Sequence, residues 1–416
     1  MKTLARMANA AARMLWLARS RGAFRDQGAS RRPRLLVDVS VIMRHDAATG
    51  IQRVVRSVWA ELARIQSNDF DVVPVYAGAR QGYCFAPADF LARRSKAGSV
   101  PVGVRAGDKF LGLDLSAHYV PNYAEQLAAW RANGASLYFV VYDLLPLSRP
   151  DWFETSTCHH FARWLDTILA HADQALCISD SVAQEFRRHI FGSSAHQRLG
   201  VGRLHLSGDI AASVPSSGFR APVRSVLERL GSRRAVLMVG TVEPRKGYDR
   251  AIEAFERLWS LVGGDAPELV IVGKPGWKTA ALQQRIRNHR EFGGRLHWLD
   301  DVSDEALTAL YQASDAVFLA SYDEGFGLPA VEAAMHRRWA LVRDLPVFRE
   351  KQLPNLRLFT DDTPIALAKE VSALLDLADR HPPPVSNAPK WTWCVERLLE
   401  EIGAARTSRP LLRAVS

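Results

Sequence analysis

From Leu35 onward, short apolar runs alternate with stretches of helical periodicity. That alternation is the mark of βα units wound around parallel sheets. In the first half, residues 35–41, 71–77, 137–142 and 174–179 read as strands, with helices near 51–65, 152–170 and 181–189. Residues 78–117 are rich in Gly, Ala and Arg and read as irregular loops. Residues 207–234 hold Pro215, Ser216, Ser217 and Gly218, which suits a linker leading into a short helix. A second series follows, with strands at 235–239, 268–272, 295–299, 316–320 and 340–342 and helices at 248–261, 279–291, 304–312 and 329–337. The run His381-Pro-Pro-Pro384 breaks the chain before a last helical pattern carrying Trp391 and Trp393, expected to anchor a helix that crosses back to the first half. The expected class is α/β, with two doubly wound Rossmann-like domains facing a cleft at the carboxyl ends of their strands. The expected boundaries are 1–33 for an N-terminal extension, 34–212 and 213–385 for the domains, and 386–416 for the crossover helix and tail.

Composition changes this picture little, since 416 residues at 48% hydrophobic and 24% charged are ordinary for a globular chain of two or three domains. No run approaches the roughly 18–20 apolar residues that span a bilayer, so no integral membrane protein is expected. Cys84, Cys158, Cys177 and Cys394 are far apart and form no C-x-x-C pair, which argues against a disulfide framework or zinc ribbon and for a reducing, cytoplasmic setting.

Charge changes it more. The net charge is +10, but residues 1–34 hold nine Lys and Arg against Asp26 alone, so the rest of the chain is nearly neutral. A basic body that binds nucleic acid is therefore not expected. Within the extension, Leu4, Met7, Ala8, Ala11, Met14, Leu15 and Ala18 keep the spacing of one helical face, with Arg6 and Arg13 off it. Such a helix can lie on an anionic membrane surface; a solvated extension is the plainer reading.

Two stretches carry chemistry. Ser321-Tyr-Asp-Glu-Gly-Phe-Gly-Leu-Pro-Ala-Val-Glu332 follows an apolar strand. Gly325 and Gly327 permit a tight turn and close approach to a ligand. Pro329 suits the first turn of a helix, whose free N–H groups attract an anion. Glu324 and Glu332 flank that anion site, and carboxylates accept hydrogen bonds from sugar hydroxyls, so the pairing suits a ligand with both phosphate and hydroxyls. The second stretch, Val239-Gly-Thr-Val-Glu-Pro-Arg-Lys-Gly247, sets Arg245 and Lys246 between a strand and a helix, which suits a diphosphate.

These residues bring a family into view. Glu324 and Glu332 form an E-x7-E that resembles the retaining glycosyltransferases of family 4, which have the GT-B fold. Residues 239–247 are similar to that family's V-G-x-L-x-x-x-K-G, in the form seen in bacterial mannosyltransferase-like members. Thr241 stands where the family has Arg, and Tyr142 of Tyr142-Asp143 where it often has His. Gly273-Lys-Pro-Gly-Trp-Lys278 and residues 296–305 resemble family loops near the nucleotide, and Thr49-Gly-Ile-Gln-Arg53 resembles the glycine loop facing the donor phosphates.

The resemblance implies transfer of a hexose, mannose from GDP-mannose foremost, from a nucleotide diphosphate sugar to a hydroxyl of a bacterial surface polysaccharide or lipid-linked glycan, with retention. It makes Arg245 and Lys246 the cations for the leaving diphosphate. Glu332 would hold the ribose, and Glu324 with the Gly325–Leu328 backbone, including Phe326, the sugar. Asp143 is assigned to the acceptor side, and Gly50, Arg53, Gly240, Thr241 and Lys274 to the donor. No cofactor is expected. No metal is expected either, because Asp69-Phe-Asp71 precedes its strand instead of following it. Two rivals stay open: a catalytically inactive relative that binds a glycan or partner, and an NAD-dependent dehydrogenase suggested by Gly325-x-Gly327-x-x-Ala330.

Overall fold

The computed structural model describes residues 32–46, 49–78, 82–87, 89–92, 100–211, 215–380 and 388–404. The expected amphipathic pattern of the extension and the run His381–Pro384 lie outside them. The first half forms a seven-stranded sheet from β1 (Arg34–Asp38), β2 (Asp71–Ala77), β3 (Tyr83–Phe85), β4 (Lys109–Gly112), β5 (Ser136–Val141), β6 (Gln174–Cys177) and β7 (Gly200–Arg203). Their order is β3-β2-β1-β4-β5-β6-β7, parallel except for the antiparallel edge pair β2–β3. The second sheet is wholly parallel, with β8 (Ala235–Val239), β9 (Glu268–Val272), β10 (Leu296–Leu299), β11 (Ala316–Leu319), β12 (Trp339–Arg343) and β13 (Leu356–Phe359) in the order β10-β9-β8-β11-β12-β13.

Both faces of each sheet are covered, which is why the strands read as continuous apolar runs. In β1, Leu36 enters one core with Phe110, Phe139 and Trp164, while Leu35 and Val37 enter another with Val54, Val58 and Trp59. In β8, Val236 and Met238 pack with Ile252, Phe255 and Leu374, and Ala235 and Leu237 with Val223, Leu310 and Ala333. The helix Trp391–Glu401 returns to the first half and places Trp391, Cys394, Val395 and Leu398 in the core that holds Leu35. Tyr138 donates its hydroxyl to the Ile402 carbonyl at 3.1 Å. This is the two-domain GT-B architecture, crossover helix included.

Several elements depart from the sequence reading. Residues 78–117, expected as loops, hold β3 and the central strand β4. Four residues long, β4 owes its place to pairing with β1 and β5. Strands β7 and β13 and the helices Ala124–Ala132 and Pro364–Arg380 are further elements that the sequence pattern does not predict. The strand read to residue 41 stops at Asp38, because Val41 and Ile42 donate their N–H groups to Asp114 as a short helix begins. Trp391 is the expected anchor, 1% exposed, whereas Trp393 is 41% exposed against the His205 ring. Among the described residues no helix is long and apolar enough to cross a membrane.

Candidate active site

Each sheet reverses its winding beside its first strand, between β1 and β4 and between β8 and β11. Loops at the carboxyl ends of β1, β5 and β11 meet across a crevice beside these points, where such folds bind ligands. The contact is close. A side chain on Gly325 would put its Cβ 2.1 Å from the Tyr142 carbonyl and 3.2 Å from the Asp143 Cβ, so only glycine lets the two loops touch. Gly327 has φ of 76°, a left-handed turn that starts the helix Leu328–Met335, and its α-carbon abuts the Phe348 ring. Across the crevice, the Leu328 side chain lies 3.5 Å from where a Gly50 Cβ would stand. Phe326 and Leu328 pack on the core of the opposite half, and the Lys351 ammonium sits 3.2 Å above the Phe326 ring.

The first charge cluster surrounds Glu324, which is 7% exposed. Its carboxylate accepts from Lys246 at 2.5 Å, Arg245 at 2.9 Å and the Ser321 hydroxyl at 2.8 Å. Arg245 also pairs with Glu243 at 2.8 Å. Burial alone would push the Glu324 carboxyl up, but Lys246 and Arg245 outweigh it and hold the group at about 2. Burial likewise works against the Arg245 charge, and the surrounding carboxylates more than offset it. Asp143 stands beside these groups with its Oδ1 accepting the Leu145 N–H at 3.2 Å. Burial pushes its carboxyl up to about 6, with Arg245 pulling the other way.

The second cluster surrounds Glu332, 1% exposed. One oxygen accepts from the Arg53 guanidinium and the other from the Tyr311 hydroxyl at 2.6 Å. Arg53 reaches Asp304 as well, at 3.3 Å, and Asp304 is fixed by the Ser216 N–H and hydroxyl at 3.0 and 2.9 Å. Arg53 belongs to the helix Gly50–Leu62, whose start is fixed by a Thr49–Gln52 capping box. Burial opposes the Arg53 charge, yet Glu332 and Asp304 together raise its proton affinity. Arg53, assigned from sequence to the donor, here ties one half of the chain to two carboxylates of the other.

The remaining sequence candidates line the loops between these clusters. The Gly240 carbonyl accepts the Tyr248 hydroxyl at 2.5 Å, and Thr241 lies against Gly276. The Lys274 carbonyl accepts the Val242 N–H at 2.9 Å, and its side chain is exposed. Among the described residues no group of three or more His, Cys, Asp and Glu is placed to hold a metal ion.

Residues 221–391 match the family model of glycosyl transferases group 1. Over 369 residues the chain is 38% identical to the serotype-specific mannosyltransferase WbdA of Escherichia coli, an alignment covering 86% of this chain and 45% of that protein. Residues 221–391 thus form a glycosyl transferases group 1 domain. It spans about half the length of the curated relatives it matches. A shorter stretch of 195 residues is 30% identical to O-antigen chain mannosyltransferase B of Escherichia coli, covering 46% of this chain and 49% of the relative. Among solved structures, Anabaena Alr3699/HepE in complex with UDP-glucose superposes with a TM-score of 0.60 at 15% identity, covering 89% of this chain and all of that one.

Sequence reasoning singles out both glutamates and the Arg245-Lys246 pair, which the structure brings together, but misses the residues that hold them. Glu243 and Ser321 lay inside the quoted stretches without a role. Asp304 lay inside the family-like run 296–305, and its position opening a helix was its only signal. Tyr311 gave none: it stands two helical turns beyond Asp304 and reaches Glu332 only through the packing of two helices.

Proposed function

We propose that the chain is a retaining, metal-independent glycosyltransferase that moves a hexose, mannose from GDP-mannose foremost, to a hydroxyl of a growing bacterial surface polysaccharide or lipid-linked glycan. One observation carries the reading: a buried carboxylate, Glu324, is gripped by Arg245 and Lys246 at the mouth of a helix whose first turn lies in the crevice. Two cations and a helix N-terminus suit a leaving diphosphate, and stabilising that departing charge is the main electrostatic task of such a reaction. Glu332 then holds the ribose hydroxyls, in exchange for Arg53, and Glu324 with the Gly325–Leu328 backbone holds the sugar. Asp143 accepts a hydrogen bond from the acceptor.

The bond between the anomeric carbon and the phosphate oxygen breaks, and a bond to the acceptor oxygen forms on the same face. The acceptor proton passes to the departing phosphate oxygen, so no protein nucleophile is required. The basic, amphipathic pattern of residues 1–33 supports work at the inner face of an anionic membrane, where a lipid-linked acceptor is presented.

The test is ligand-observed NMR against GDP-, UDP-, dTDP- and ADP-sugars, with NAD and ATP as controls, in wild type and Lys246→Ala. Selective binding of one nucleotide sugar, lost in the variant, is the expected result. Selective NAD binding would restore the dehydrogenase. Silence across nucleotide sugars, with glycan binding retained, would favour an inactive relative.

A further inference from the structure

Beside the two charge clusters, the halves of the chain meet at an aromatic strap. The Trp277 indole N–H donates to the Trp152 carbonyl at 2.7 Å, and the Lys278 ammonium to the Asp151 carbonyl at 3.0 Å. Phe153 stacks on Trp277 with centroids 5.9 Å apart and planes 30° apart, and Trp152 faces Tyr322 at 6.4 Å and 33°. Lys278 keeps a left-handed φ of 54° at a non-glycine position, so the loop is held in an unfavourable conformation to make these contacts. Trp152 and Phe153 are each 8% exposed, whereas Trp277, with one face against Phe153, remains 38% exposed. A tryptophan whose N–H is satisfied and whose ring is still open to solvent offers an apolar face at a rigid position.

The strap is continuous with the candidate site on both sides. Leu145, packed with Trp152 and Phe153, donates its N–H to Asp143. Tyr322 donates its N–H to the Arg245 carbonyl at 2.8 Å and lies two residues before Glu324. The strap also lies on the sheet face opposite Glu332: it adjoins loops that lead into the helices Tyr248–Val262 and Ala280–Arg287, whereas Glu332 and Asp304 begin or ride the helices of the other face. Arg149, stacked on Trp152 at 3.8 Å, pairs with Asp151 at 3.6 Å, so the charge the strap carries beyond that pair is the Lys278 ammonium.

From this geometry, and resting on the proposed transferase reading, we infer that the open face of Trp277 is an acceptor subsite that stacks a neutral pyranose unit of the glycan behind its reacting end. A pyranose presents a C–H face that packs on an aromatic ring, while its hydroxyls reach Lys278 and the 151–152 backbone. The strap joins the Asp143 side to the sugar-holding loop, so a glycan lying on it points its end at the place where the donor sugar is held.

The test uses mono-, di- and tetramannosides as probes, with wild type, Trp277→Ala and Trp277→Phe. Saturation-transfer NMR reads glycan binding without turnover, and steady-state kinetics with the donor selected by the nucleotide panel reads KM and kcat. The expected result is an acceptor KM for the tetramannoside raised about tenfold or more in Trp277→Ala, with kcat moved far less. The advantage of tetramannoside over monomannoside should vanish, and Phe should recover most of it. An equal rise for short and long acceptors overturns the inference, as does a donor KM raised as much as the acceptor KM, which would make Trp277 a nucleobase platform. Absence of glycan binding in wild type overturns it too. If no nucleotide sugar binds but glycan binding falls in Trp277→Ala, the subsite stands and the transferase reading fails.

Discussion

Glu324 and Glu332 lie eight residues apart, and both are almost wholly buried, yet they are neutralised from different places. Glu324 takes its cations from Arg245 and Lys246, on a loop of its own sheet. Glu332 takes its cation from Arg53, 279 positions away in sequence and on the other half of the molecule. The first cluster is complete within one domain, so it persists however the domains are arranged. The second exists only while the halves are together. On the proposed reading, one carboxylate belongs to a preformed anion site, and the other doubles as a clasp that the donor opens.

The largest effect expected from this contrast is on turnover. Lys246→Ala should lower kcat/KM by about a hundredfold, the usual range for removing one preorganised donor to a developing charge; an unchanged value would remove the preformed cluster from the chemistry. Glu332→Ala should act on donor affinity, weakening it by about tenfold or more, as expected for a lost charge-assisted hydrogen bond, and calorimetric titration with the nucleotide sugar reads it directly.

Arg53→Ala is next. It leaves the Glu332 carboxylate with Tyr311 alone, and breaking a buried pair from one side costs up to about 3–5 kcal/mol, reduced here because Arg53 is partly solvated. A lowered Tm and a more expanded small-angle scattering profile are expected, and Arg53→Ala combined with Glu332→Gln should recover part of the Tm. An unaltered profile would mean that the clasp does not hold the halves together.

The smallest effect concerns pH. With Asp143 titrating at about 6, the ionised carboxylate available to an acceptor is lost as pH falls through that value. Acceptor kcat/KM should fall below pH 6 in wild type and stay flat in Asp143→Asn. The stability term has the opposite sign, since a raised carboxyl favours the folded state most when protonated, and that contribution fades as pH rises from about 4 to 6.

What was legible in the sequence was local. Strand–glycine loop–helix units around residues 239–247 and 321–332 carry their own signals: apolar runs, glycines at the turns, Pro329 at the helix start. Those signals gave the second domain almost strand by strand. β4 was not legible because Lys109–Gly112 is too short to show a period and becomes a strand only between β1 and β5; its Gly112 is there because a side chain would enter the Phe139 ring. The helix Ala124–Ala132 hid because its apolar and polar residues barely segregate. The contacts between the two halves hid for a different reason. Arg53 with Glu332, and Trp152 with Trp277, sit 279 and 125 positions apart, and no spacing rule links residues that meet only when two sheets face each other.

The returning helix has a consequence for how the chain is made. Trp391, Cys394, Val395 and Leu398 fill the layer over Leu35 and Val37, and the Trp391 indole N–H donates to the Asp209 carbonyl at 3.0 Å. A chain synthesised from its N-terminus therefore emerges with one layer of its first sheet only partly covered, by the helix Gly50–Leu62, and must build the whole second domain before the piece that seals it appears. Such a long-range closure is slow and leaves apolar surface open to chaperones and to neighbouring nascent chains. Truncation just before Trp391 should accordingly harm the domain farthest from the cut in sequence, while the second sheet, which is complete by residue 380, can fold on schedule.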